Sequence, residues 1–238
     1  MKRKIFVIYI NFIAILLTMT SFGQQNNYER ERYKMVETQL KARGIADKQV
    51  LEAFKIVPRH RFVLPEYAHL AYKDSPLSIN EGQTISQPYI VAFMTEALDL
   101  ERDDRVLEVG TGSGYQAAIL AQLCDSVFTI EIFESLSKEA QFVFDGLGYK
   151  NIYSKVGDGY QGWEEKAPFD AIIVTCAPGN IPTALKDQLA EGGKMIIPVG
   201  GRQTQQLVLL QKRNGKVKEK KMLPVRFVPM IDENKERY

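Results

Sequence analysis

The stretch that decides the fold is Val106-Leu107-Glu108-Val109-Gly110-Thr111-Gly112-Ser113-Gly114-Tyr115. An apolar run from Arg105 to Val109 breaks into glycines, and a helix-forming run, Gln116-Ala117-Ala118-Ile119-Leu120-Ala121, follows. That order predicts a buried strand, a tight turn and a helix start. Glycines let the backbone approach a ligand closely, and the first helical turn offers unpaired N–H groups. The spacing is Gly-x-Gly-x-Gly rather than the Gly-x-Gly-x-x-Gly of dinucleotide-binding folds. This disfavours an NAD-dependent dehydrogenase and reads as a nucleoside-binding loop. A plain tight turn would look the same, so the neighbouring strands decide.

Downstream, Ser126 to Ile130 forms a second short apolar strand ending in Glu131, an acid placed to accept hydrogen bonds from ribose hydroxyls. Leu136 to Leu147 reads as a helix with Gly148 at its end. Ile152 to Val156 is a third strand closing on Gly157-Asp158-Gly159, a turn by composition but on the same sheet edge as the other two. In open α/β sheets ligands bind beyond the carboxyl ends of strands, so three such ends form a constellation. Phe169 to Thr175 is a buried fourth strand, and Cys176 at its end reads as an inert thiol, since no base is evident. Ile181 to Leu189 reads as a helix opened by Pro182, and Gly192-Gly193 as a turn into a fifth strand, Lys194 to Val199. Gln206 to Lys212 and Lys221 to Val228 read as a hairpin around Asn214-Gly215, its lysine-rich tip solvated.

Upstream, Glu29 to Gly44 has helical spacing, and Asp47 is placed to cap a second helix that ends before Pro58. Pro58-Arg59-His60-Arg61-Phe62-Val63 reads as a charged turn, with His60 a surface or packed histidine. Glu81-Gly82-Gln83-Thr84-Ile85-Ser86-Gln87-Pro88-Tyr89 is a polar loop, after which Pro88 opens a helix with Ile90, Val91, Met94 and Leu98 on one face. Ser86 reads as an N-cap that can also meet an anionic ligand.

A chain of 238 residues, 45% hydrophobic and 25% charged, suits one domain with a sizeable core. A net charge of +2 gives no nucleic-acid footprint, and Cys124, Cys176, His60 and His69 lack metal-site spacing. Lys2-Arg3-Lys4, the apolar run Ile5 to Met19 and Ser21-Phe22-Gly23 read as a secretory signal peptide over residues 1–23, or else an uncleaved anchor. Cleavage would leave residues 24–238 as the domain and shift the charge from +2 to about −1.

Over about residues 33 to 230 the chain resembles the bacterial protein-L-isoaspartate O-methyltransferases. The marks are Met35-Val36 with Arg43-Gly44-Ile45, Val57-Pro58-Arg59-His60, Val106 to Ala118, Gly157-Asp158-Gly159-Tyr160, Val225-Arg226-Phe227-Val228-Pro229 and, most specific, Gly82 to Tyr89. The resemblance implies a doubly wound, mostly parallel sheet with a C-terminal antiparallel hairpin and an N-terminal helical extension. It also implies methyl transfer from S-adenosyl-L-methionine to the free carboxyl of L-isoaspartyl residues. It assigns Ser86 as the active-site residue, Gly110, Thr111, Gly112 and Gly114 as the glycine loop, and Glu131 with Ile132 beside the ribose. Gly157, Asp158 and Gly159 would lie on the adenine side, Thr84, Ile85, Ser86 and Tyr89 along the donor, and Val225 and Arg226 beside the substrate with Ser86. The expected partners are isoaspartyl-containing proteins and peptides, with a monomeric chain, no nucleic acid and no membrane beyond a retained anchor. The family is typically cytoplasmic, whereas residues 1–23 point to export. Two rivals stay open: a methyltransferase for another carboxylate, and an exported protein that binds a nucleoside or peptide without turnover.

Overall fold

The computed structural model describes residues 26–201 and 203–232; the expected signal segment, residues 1–23, lies outside them. The glycine-rich stretch folds as read. β3 (Arg105–Val109) is buried from Val106 onward, and Gly114 precedes α4 (Tyr115–Leu123). β4 (Ser126–Glu131) and β5 (Ile152–Val156) follow in parallel, joined through α5 (Glu134–Leu147). β6 (Phe169–Val174) then returns to the other flank of β3, and β7 (Leu189–Gly200) extends that side. β8 (Gln205–Arg213) and β9 (Lys216–Val225) add antiparallel strands, giving the order β5-β4-β3-β6-β7-β8-β9.

The two sheet faces are covered unequally. One carries α1 (residues 26–35), α2 (Lys48–Ile56), α3 (Pro88–Leu98), α4 and α5, with Phe54, Met94, Ile119 and Phe144 among its buried side chains. The other is closed by α6 (Thr183–Asp187) and the segment around Tyr160 and Trp163, over Phe169, Ile172 and Leu185. Right-handed crossovers dictate this: β3 to β5 wind one way along the sheet and β6 to β7 the other.

Several elements differ from their sequence reading. Glu29 to Gly44 is not one α-helix: after residue 35 it widens into a π turn (Val36–Leu40) and a 3₁₀ turn (Lys41–Arg43). The Thr38 hydroxyl bonds back to the Lys34 carbonyl there, while Val36 and Leu40 both turn inward. The expected helix from Ile181 to Leu189 is only α6, because Leu189 already pairs with Phe169 and Gln188 is engaged by Gln161 and Trp163. Gly192-Gly193 is no turn: it lies inside β7, where the ladder with β6 shifts register between Phe169 and Ala171. β9 begins at Lys216 rather than Lys221, since the Asn214-Gly215 turn closes directly on the pair Arg213–Lys216. Its exposed lysines solvate a sheet edge.

Candidate functional site

β4 and β5 lie on one side of β3, β6 and β7 on the other, so a crevice opens where their carboxyl ends diverge. A cleft of about 750 Å³, counting the open solvent at its mouth, occupies that place. Gly110 to Ser113 and Glu131 to Phe133 wall one side, Gln83 to Ser86 the other, and Thr175, Cys176 and Val228 to Ile231 complete it.

On the sheet side the backbone is tightly constrained. Gly110 has φ +97°, and a Cβ there would stand 2.5 Å from Thr175 Oγ1. The Thr175 hydroxyl instead donates to the Gly110 carbonyl at 2.6 Å. Glu131 accepts the Gly112 N–H at 2.7 Å and the Phe133 N–H at 3.1 Å, so it shapes the loop it follows. Burial lifts its pKa, opposed by these backbone donors. Behind it runs a buried polar chain: the Thr129 hydroxyl donates to Glu108 Oε2 at 2.5 Å and lies 2.6 Å from the Thr111 hydroxyl. Burial, with Glu131 nearby, pushes Glu108 up to about 8. Glu108 Oε1 also lacks a hydrogen-bond partner among the described residues.

The opposite wall comes from β2 (Thr84–Ile85), paired with β1 (Leu77–Ser78), and the turn into α3. Ser86 is not the N-cap. Gln87 holds that position without a side-chain bond, and Asp74 Oδ1 accepts the Tyr89 N–H at 3.0 Å instead. The cap comes from a distant residue, and the Ser86 hydroxyl is left without a hydrogen bond among the described residues. The charged turn is likewise only partly at the surface: Arg59 is completely buried, and its Nη2 donates to the Ser86 carbonyl at 2.8 Å.

A second groove, about 940 Å³ and open to solvent, runs between Pro76, Gln87 and Ile90 on one side and Pro224 to Phe227 on the other. Thr84 and Ser86 line both this groove and the first cleft. Gln205 fixes the far wall, accepting the Phe227 N–H at 2.6 Å and donating to its carbonyl at 3.0 Å.

Of the expected donor contacts, Thr84, Ile85, Ser86, Gly110, Thr111, Gly112, Glu131, Ile132 and Gly159 line the first cleft. Val225 and Arg226 line the second groove. Tyr89, Gly114, Gly157 and Asp158 stand off both. The Tyr89 ring sits under the Arg43 guanidinium at 3.5 Å. Gly114 lets α4 close on Phe144, 2.7 Å from where a Cβ would be. Gly157 N–H pairs with the Glu131 carbonyl, and the Asp158 carboxylate accepts the N–H of Tyr160 in its own turn at 2.8 Å. Glu108, Phe133, Thr175 and Met230 also line the cleft, and an acid inside the apolar run of β3 is the sequence signal for the first.

Cys176 also lines the cleft, where burial and the nearby Glu131 and Glu108 raise its pKa and keep the thiol neutral. His60 is a packed histidine. It lies 2.7 Å from the Tyr72 hydroxyl and stacks on Tyr28, and burial beside Arg32 and Arg61 pushes its pKa down to about 4.

Residues 30–235 match the family model of protein-L-isoaspartate(D-aspartate) O-methyltransferase. A protein-L-isoaspartate O-methyltransferase of Opitutus terrae is 54% identical over 229 residues, covering 94% of this chain and 97% of its own. A second, from Shewanella sediminis, is 48% identical over 95% of this chain and 93% of its own. Among solved structures, a protein-L-isoaspartate O-methyltransferase superimposes with a TM-score of 0.77 at 31% identity, over 83% of this chain and 65% of that longer one. A Plasmodium falciparum structure described as a putative protein-L-isoaspartate O-methyltransferase, in complex with S-adenosyl-L-homocysteine, gives 0.74 at 29% identity, over 84% and 97% of the two chains.

Proposed function

The chain belongs to the protein-L-isoaspartate O-methyltransferase family and is an S-adenosylmethionine-dependent enzyme methylating L-isoaspartyl carboxyls; from that premise we propose how its residues divide the work. The observation that carries the assignment is that Ser86 lines both clefts, so a group held in one meets a group held in the other beside its hydroxyl.

The donor fits the first cleft. Glu131 stands at its wall with two backbone N–H groups already holding its orientation, leaving lone pairs free for ribose hydroxyls. Glu108 offers a buried, unpartnered oxygen on the same wall, and its carboxyl, protonated at neutral pH, is suited to hydrogen-bond a polar group of the donor. S-adenosylmethionine supplies a methyl group already activated on a sulfonium.

The acceptor carboxylate has an ordinary pKa of about 4 and is ionised at neutral pH, so no base has to deprotonate it. The protein's task is to aim it. Ser86 donates its free hydroxyl to the carboxylate and orients it without taking a proton. The groove beside Val225 and Arg226 takes the flanking peptide, with Arg226 supplying a positive charge. Thr175 and Glu131 hold the facing loop still, so the two reactants meet in fixed register. The backbone amide nitrogen attacks the resulting ester, expelling methanol to give a succinimide, and water then opens the ring partly to normal aspartate, so the protein substrate is repaired.

The deciding experiment pairs peptides that differ only in isoaspartyl versus aspartyl linkage, with labelled donor. Label on the isoaspartyl peptide alone is expected; equal labelling of both would overturn the acceptor assignment. The basic start and apolar run of residues 2–19 support export of the domain. Mass measurement of the protein from fractionated cells checks this, a full-length cytoplasmic chain being the contrary result. Among the described residues no helix is long and apolar enough to cross a membrane.

A further inference from the structure

Arg59 is fully buried. Its Nε donates to the Ala71 carbonyl and its Nη2 to the Ser86 carbonyl, each at 2.8 Å. Its guanidinium carbon lies 4.8 Å from the centroid of the Tyr115 ring, and Tyr115 belongs to the donor cleft. No carboxylate bonds it among the described residues, and its Nη1 has no partner there. Burial brings its pKa down to about 10, which still leaves it charged at neutral pH.

Such a group is costly for the fold: its hydrogen bonds go to neutral carbonyls, and Asp74 supports the charge only at a distance, without an ion pair. Two backbone carbonyls could be satisfied by neutral donors. The place of the charge is therefore informative. Upstream of Ser86, the pairing of β2 with β1 ends at Ile85; downstream, the Asp74 carboxylate holds the Gln87 side chain and the Tyr89 N–H. Between those anchors the Arg59 bond fixes the Ser86 carbonyl.

We propose that Arg59 is a positioning residue for methyl transfer, its rigid fork setting the Ser86 peptide unit while its buried charge favours the anionic acceptor. This rests on the reading of Ser86 given above. The two effects separate chemically. The fork needs two donors in fixed geometry, which lysine lacks although it keeps the charge. The charge acts on the acceptor only while it is a carboxylate, because the ester is neutral. Loss of the fork therefore lowers kcat, and loss of the charge raises KM for the peptide. Donor binding, anchored at Glu131 and the glycine loop, is left nearly untouched.

The test compares Arg59→Lys and Arg59→Gln in the full chain, with the isoaspartyl peptide as acceptor and S-adenosylhomocysteine titrated separately. Both variants are expected to bind S-adenosylhomocysteine within about threefold of wild type and to lose about tenfold in kcat. Only Arg59→Gln should raise KM for the peptide, by about fivefold or more. Wild-type kcat and KM in both variants would overturn the proposal. So would a parallel fall of donor affinity, kcat and melting temperature with no KM difference between the two, which is the pattern of lost packing. If neither variant folds, the wild type decides. With S-adenosylhomocysteine bound, the Arg59 guanidinium NMR resonances should move on adding the isoaspartyl peptide and not the aspartyl one; resonances that stay still overturn the idea. A wild-type chain that labels no isoaspartyl peptide would overturn the reading of Ser86 and this proposal together, whereas variants with unchanged kinetics overturn this proposal alone.

Discussion

On the sheet side of the cleft, the ends of paired strands do the holding. Gly110 follows β3 directly, its N–H goes to the Ile130 carbonyl of the adjacent strand, and Glu131 ends that strand and clasps Gly112. Across the cleft, Ser86 is held by side chains from outside the main sheet: Arg59 reaches its carbonyl from 27 positions upstream, and Asp74 caps the next helix from 15 positions before Tyr89. A wall made from strand ends inherits its rigidity from the sheet, whereas a wall made from a turn has to be pinned by side chains. The difference makes donor binding and methyl transfer separable, since the donor's main polar partners, Glu131 and the glycine loop, lie on the sheet side, whereas aiming the acceptor needs both walls.

The sharpest way to break that separation is Glu131→Ala. It removes the acceptor offered to the donor and leaves the Gly112 and Phe133 N–H groups unpaired, each loss costing about 1–3 kcal/mol. Affinity for S-adenosylhomocysteine should fall about 100-fold or more by calorimetry. A change under about threefold would mean that Glu131 only braces its own loop.

The two walls also differ in what they titrate. Glu108, on the sheet side, keeps its proton up to about pH 8 when folded, against an ordinary value of 4.5. Between those values the unfolded chain binds fewer protons than the native one, so this group makes stability fall as pH rises. Glu108→Gln removes that loss. Its stability relative to wild type should therefore climb from pH 4.5 to 8 and then level off, the gain being at most roughly 5 kcal/mol. Denaturant titrations at several pH values measure it, and a difference that does not vary with pH would contradict the buried, protonated acid.

The contrast between the walls also explains what could be read from the chain before folding. Gly110, Gly112 and Glu131 were legible because strand, turn and strand-end acid are local patterns, and parallel order places them on one sheet edge. Ser86 was legible through the specific segment around it, but its assignment as an N-cap failed. Local pattern offers a serine beside Pro88, and only the tertiary structure brings Asp74 to the helix instead. Arg59 reads in sequence as one charge of a charged turn; its burial depends on contacts with residues 71, 86 and 115, and no window around residue 59 contains them. Val228 to Ile231 reach the cleft because Ala177 pairs with Val228 and Met230 across β6's end, and no periodicity announces such a crossing.

Ser86→Ala tests the opposite wall by a smaller effect. With an acceptor already ionised, the loss is one of orientation, and kcat should drop by about tenfold while donor affinity stays unchanged. No new pH dependence should arise below neutrality. A titration-like rate profile in wild type that disappears in the variant would identify Ser86 with proton transfer, contrary to the positioning role.

The smallest expected effect is at Asp74, and it discriminates between the anchors of the pinned wall. Its carboxylate accepts from the Tyr89 N–H and the Gln87 amide and pairs with Arg43. The ion pair adds little, because the Arg43 side chain is 46% exposed and such pairs are worth about 0–1 kcal/mol. The cap on α3 is the larger part, about 1 kcal/mol for removal of a capping oxygen. Asp74→Asn keeps an oxygen for the Tyr89 N–H and should lose well under half of what Asp74→Ala loses in denaturant stability. If the two variants were equally destabilised, the charge and not the cap would be holding the turn. Because Arg59 still fixes the Ser86 carbonyl in both, kcat should fall by no more than about threefold. A larger drop would move the burden of aiming the acceptor from the buried arginine to the helix start.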